Sequence, residues 1–156
     1  MIKVENLTKE FRLTKQSRRE MGDEFRNTLS IAAVNDISFE CAPNRVFGLL
    51  GPNGAGKTTM IKVLLSIVRP TSGEARLLDF PTGSTEGRKR VGYLPEDHRF
   101  PDYHTAYSLL DFYGSLYGMP SVERKKRTGV VLEIVDLVKD GRRKIRTYSK
   151  GMKQRV

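Results

Sequence analysis

The stretch Gly51-Pro-Asn-Gly-Ala-Gly-Lys-Thr58 decides how this chain folds. It satisfies G-x-x-x-x-G-K-[ST], a pattern in which a glycine loop cradles phosphate. Before it runs Arg45-Val-Phe-Gly-Leu-Leu50, a short apolar stretch suited to a buried strand. After it runs Thr59-Met-Ile-Lys-Val-Leu-Leu-Ser-Ile-Val68, whose apolar residues suit a packed helix. Strand, glycine loop and helix, in that order, are the setting the pattern requires.

The residue types supply the chemistry. Gly51, Gly54 and Gly56 lack Cβ atoms, so the loop can bend tightly and turn backbone N–H groups onto phosphate oxygens. Pro52, Asn53 and Ala55 complete the loop. A helix starting near Gly56 adds unpaired N–H groups and the positive end of its dipole. Lys57 reaches β- and γ-phosphates as a point charge, and Thr58 offers a hydroxyl to Mg²⁺. A glycine-rich turn that meets a Lys-Thr by accident is the competing explanation, and the flanking elements weigh against it.

Working outward, 156 residues suffice for one ordinary domain with a real core. No run approaches the ~18 apolar residues of a membrane span, and the charged N-terminus is unlike a signal peptide. A cytoplasmic chain is expected. The single cysteine, Cys41, excludes an internal disulfide and reads as a buried thiol on a strand. The net charge is +10. Its basic clusters, including Arg18-Arg19 and Arg124-Lys-Lys-Arg127, are scattered and lack interleaved aromatics. They read as solvated faces, or as attraction to a membrane surface or acidic partner, with no nucleic acid expected.

Residues 2–7 read as a first strand, with Phe11 close behind. Residues 15–30 are polar and charged, an inserted surface loop or weak helix. Residues 33–40 alternate as a half-buried strand does, and Pro43-Asn44 turns the chain. Further strands are expected at 74–80 and 90–95, with a polar loop at 81–87. Thr105 then caps a helix with an apolar face of Ala106, Leu109, Leu110, Tyr113, Leu116 and Tyr117, stopped by Gly118 and Pro120. Ser121 caps another, with a stripe of Val131, Ile134, Val135 and Val138, ending near Gly141. Both stripes read as core faces.

With these residues in place the chain resembles the ATP-binding subunit of ABC transporters, over nearly its whole length apart from the polar insert. Phe11 stands where that family places an aromatic that stacks on adenine. Gly92-Tyr-Leu-Pro-Glu96 looks like the loop that presents a Gln to Mg²⁺ and to the membrane partner. Tyr148-Ser-Lys-Gly-Met152 looks like the signature usually written Leu-Ser-Gly-Gly-Gln. The phosphate loop alone fits any P-loop NTPase; loop and signature together, about a hundred residues apart, are specific.

The resemblance implies an α/β fold: an incomplete RecA-like P-loop core, an antiparallel β subdomain and a helical subdomain. Residues 1–96 would form the first part of the core with the β subdomain, and 97–156 the helical subdomain. It implies ATP and Mg²⁺ as cofactors. Phe11, residues 51–59 including Thr59, Ser149 and Gly151 would hold nucleotide. Lys57 and Glu96 would serve catalysis, with Thr58 and Glu96 at the metal. Ser149 caps a helix beginning near Gly151, whose donors would cover the γ-phosphate bound to a second ATP-binding subunit. The implied partners are that subunit and membrane-spanning permease subunits, placing the protein on the inner face of the cell membrane.

Three departures qualify this resemblance. Glu96 stands in the usual Gln place and still offers a hard oxygen to Mg²⁺. Lys150 and Met152 replace the first Gly and final Gln of the signature; Leu94-Pro-Glu96 together with Tyr148-Ser-Lys-Gly-Met152 resembles exporter-type members. Thirdly, the family continues beyond the signature with a strand ending Asp-Glu and a later His, none of which has a position here. Asp97, His98 and His104 lie in the loop after Pro95 and do not fill those roles. The chain is therefore expected to be part of a longer parent, binding Mg·ATP weakly and hydrolysing it hardly at all by itself. A soluble ABC ATPase acting on ribosomes or DNA, and a non-enzymatic remnant, are the competing functions.

Overall fold

A computed structural model describes residues 1–95 and 100–156, which form two compact units, Met1–Gly92 and Tyr93–Val156. The mixture of antiparallel sheet and helical unit is the expected α/β architecture, although several elements differ from expectation.

The first unit is built on strand β1 (Ile2–Arg12), longer than residues 2–7 because it continues through Phe11. It pairs antiparallel with β2 (Ser30–Cys41) on one side and β3 (Ser72–Leu77) on the other. A short β4 (Phe80–Pro81) completes the order β2-β1-β3-β4. Val4 sits opposite both Phe39 and Ala75, so its side chain lies mid-sheet and is buried. The β1–β2 register slips after Val4, where Asn6 and Asp36 both adopt left-handed φ. Side chains repair this bulge: Asn6 Nδ2 donates to Asp36 Oδ1 at 2.9 Å, and Asn6 N–H donates to Ser38 Oγ at 2.8 Å.

Helix α2 (Lys57–Leu64) covers one face of this sheet. Met60 and Val63 pack with Val4, Leu7, Val34 and Ala75 to form the unit's core. Between β1 and β2 the insert folds as helix α1 (Lys15–Met21) and a 3₁₀ turn at Asp23–Phe25, neither with a buried residue. The surface placement expected for residues 15–30 is observed. Cys41 is a buried free thiol, as expected.

Residues 45–50, expected as a buried strand, are not one. A strand exists through its ladder, and among the described residues no other strand pairs with them. Val46 and Leu50 are consequently almost fully exposed (103% and 92%), and among the described residues the ring contact of this run is Phe47 stacked on Phe39 at 5.1 Å. Residues 90–95 likewise form no strand. The loop expected at 81–87 contains a helical turn, α3 (Thr85–Arg88), capped by Ser84.

The second unit contains α4 (Ala106–Leu116), α5 (Ser121–Ile134), a 3₁₀ turn at Ile145–Thr147 and α6 (Lys150–Arg155). Thr105 caps α4 as expected, in a reciprocal capping box with Ser108. Only the first half of its apolar face is core: Ala106 and Leu109 are buried, whereas Leu116 and Tyr117 are mostly exposed. For α5, Pro120 rather than Ser121 occupies the cap position, and the helix ends at Ile134, short of Gly141. Its buried residues are Thr128 and Leu132, while Ile134 and Val138 are exposed. The early stop moves the stripe. Asp136 turns left-handed (φ 52°), and Leu137 N–H reaches back to Leu132 O at 2.9 Å. That Schellman closure folds Leu137 onto Leu132 and into the core with Ala106, Leu109, Ile145 and Tyr148.

Candidate functional site

The phosphate loop takes its shape from contact with β2. Gly56 is the N-cap of α2 at φ 80°. A Cβ there would lie 2.0 Å from Ala33 O, so any other residue would push the loop off the sheet. On the opposite side, a Cβ on Gly54 would meet nothing within 4 Å. The loop is thus pressed against the sheet at Gly56 and open at Gly54.

Its electrostatics suit an anion. Met60 N–H is the first of the helix to bond backward, to Gly56 O at 2.8 Å, so the N–H groups of Lys57, Thr58 and Thr59 lack intrahelical acceptors. The Lys57 ammonium donates to Gly51 O at 2.7 Å and Pro52 O at 2.6 Å. Two loop carbonyls therefore hold its charge directly over the loop. Thr58 is exposed, and its hydroxyl has no hydrogen-bond partner among the described residues. These are the donors a polyphosphate needs: orphan amides, a tethered cation and a hydroxyl for a hard metal ion. The residues present fit a nucleotide phosphate with Mg²⁺.

Gly54, Ala55, Gly56 and Lys57 line a cleft of about 470 Å³ together with Val34 and Asn35 of β2. Sequence reasoning missed these two. The only signal was the alternation of residues 33–40, which marks β2 as half-buried without saying what its other face meets.

The remaining candidates are dispersed. Phe11 is 42% exposed on β1 and is absent from the lining of this cleft. Its ring lies under the Lys9 ammonium, 4.9 Å from the centroid. Glu96, with Asp97 and His98, lies outside the described residues. Ser149 and Gly151 belong to the second unit. Ser149 Oγ accepts from Met152 N–H at 3.2 Å, so Ser149 is the N-cap of α6 as the sequence reading requires. Tyr148 beside it is buried, and its hydroxyl donates to Asp140 O at 2.7 Å. Arg155, at the far end of α6, donates to Val135 O at 2.8 Å and so tethers α6 to the end of α5.

Comparison with known proteins is consistent with this geometry. The family model for ABC transporters matches residues 34–156. An ABC transporter ATP-binding protein of Synechocystis is 42% identical over 128 residues, covering 81% of this chain and 36% of its own length. The linearmycin resistance ATP-binding protein LnrL of Bacillus subtilis is 38% identical over 125 residues, with 79% and 40% covered. This chain thus spans well under half the length of either relative. Among solved structures, the dimeric post-hydrolysis state of the ATP-binding cassette MJ0796 bound to ADP and Pi aligns with a TM-score of 0.78. That alignment covers 99% of this chain and 66% of the cassette at 20% identity, which establishes a shared fold.

Proposed function

The chain belongs to the ABC transporter family, and from that premise we propose that it is the nucleotide-gripping part of an ATPase subunit that powers export across a membrane. One observation carries the reading: the Lys57 ammonium pinned to Gly51 O and Pro52 O above unpaired helix amides. That arrangement binds polyphosphate through positioned donors, which is most of what phosphoryl transfer asks of a protein. Bound Mg·ATP supplies the phosphoanhydride whose cleavage drives the cycle.

Each residue then has a task. The amides of residues 51–59 cradle the phosphates, Lys57 neutralises the terminal groups, and Thr58 offers its hydroxyl to Mg²⁺. Phe11 stacks on the base, and Glu96 adds a carboxylate oxygen at the metal. Ser149 and Gly151 present the start of α6 to the nucleotide of a second ATP-binding subunit. The partners are that subunit and membrane-spanning permeases, which hold the protein at the inner face of the membrane. Names among the relatives support export: linearmycin resistance, doxorubicin resistance and Nod factor export.

The test is ATP affinity of the protein carrying Lys57→Ala. Loss of one charge-assisted contact predicts a fall of roughly tenfold or more. Unchanged affinity would remove the phosphate loop from the mechanism and the reading with it.

A further inference from the structure

We propose that the insert between β1 and β2 is a second anion site, built to take a phosphoryl group and separate from the phosphate loop. The family match covers residues 34–156 and so does not include the insert. It closes on itself through Leu13 N–H to Leu29 O at 2.9 Å and borders an open cleft of about 510 Å³. Lys15, Arg18, Arg19 and Arg26 line that cleft, against one carboxylate, Asp23.

Three observations point to a ligand rather than a solvated charge run. First, the cations converge: Lys15, Arg18 and Arg19 are three and four residues apart on α1, and Arg26 faces them from beyond the 3₁₀ turn. Secondly, they are uncompensated, since none of the four forms an ion pair among the described residues. Thirdly, the Arg18 guanidinium is already positioned, and one of its nitrogens is out of solvent. Its Nη1 donates to Arg26 O at 3.2 Å, while its Nε is shielded from solvent with no acceptor. A shielded N–H on a cation without an acceptor is costly, and a small turn of the side chain that brings it to an oxyanion in the cleft removes that cost. Planar guanidiniums match tetrahedral phosphate by paired N–H donors, which favours phosphoryl over carboxylate.

Two sources share this chemistry, a soluble phosphate ester and an anionic phospholipid headgroup, and one experiment separates them. The full chain carrying Lys57→Ala, which silences the phosphate loop, is titrated with inorganic phosphate while its backbone amide NMR signals are followed. In parallel it is sedimented with vesicles of phosphatidylcholine alone or mixed with phosphatidic acid. Shifts confined to residues 15–26 identify a soluble phosphate ligand, and sedimentation only with phosphatidic acid identifies a headgroup. Arg18→Gln with Arg26→Gln should weaken either response about tenfold or more. A charge-matched control, Lys125→Gln with Arg127→Gln on exposed α5, should leave it unchanged. Equal loss in both variants would reduce the effect to net charge and overturn the proposal. So would absence of both responses, or displacement of phosphate by a poly-glutamate peptide at equal concentration. Thermal melts of both variants confirm that each is folded. Because Lys57 is already replaced, failure here leaves the nucleotide reading standing.

Discussion

Gly56 shows how one residue couples the loop to the sheet. Its left-handed φ and its 2.0 Å approach to Ala33 O both exclude a side chain. Gly56→Ala should therefore cost about 2–4 kcal/mol, since neither the backbone strain nor the clash can relax cheaply. A thermal melt would register that loss, and ATP affinity should fall with it. Tyr148 makes a different point. Burial, reinforced by the nearby Asp140 carboxylate, raises its phenol above the ordinary value of 10.0. A raised folded-state value means the neutral phenol stabilises the fold fully below about pH 10, and that this is lost as pH climbs through the folded value. Tyr148→Phe should lose about 1 kcal/mol at neutral pH through the missing bond to Asp140 O. It should also show a shallower alkaline decline in stability, measured by denaturant melts across pH.

At the scale of elements, three helices end in the same way. In α2, α4 and α5 the chain turns left-handed at Ser66, Gly118 and Asp136, and the next N–H bonds back to Lys62 O, Gly114 O and Leu132 O. Only the Gly118 stop was legible in sequence, because glycine advertises that conformation and serine and aspartate do not. This is why α5 was expected to run on toward Gly141 and why Ile134 and Val138 were assigned to a face that is exposed. Asp136→Gly should relieve the left-handed strain and stabilise the second unit by about 0.5–1 kcal/mol, visible as a higher melting temperature. No change would mean that the Asp136 side chain contributes something that offsets its backbone cost.

For the whole molecule, protection should follow ladders and cores. Amides of β1 between β2 and β3, and those of α2 over them, should exchange slowly. Residues 45–50, with no ladder and exposed Val46 and Leu50, should exchange as fast as free loop despite their apolar composition. Hydrogen-exchange mass spectrometry of the chain would check this, and slow exchange at 45–50 would show a pairing absent from the fold described. The sequence by itself determined the phosphate loop, the caps at Thr105 and Ser149, and the presence of strands at residues 2–7 and 33–40, though not their full length. Each of these is a local matter: glycines, a hydroxyl three residues before an amide, and alternation with period two. Tertiary structure alone decided that residues 45–50 are no strand, that Leu132 and Leu137 rather than Ile134 and Val138 face the core, and that Arg18 meets Arg26. The physical reason is common to all three. A ladder, a buried face and a converging set of charges are properties of pairs distant along the chain or set by a turn, and composition does not encode which partner arrives.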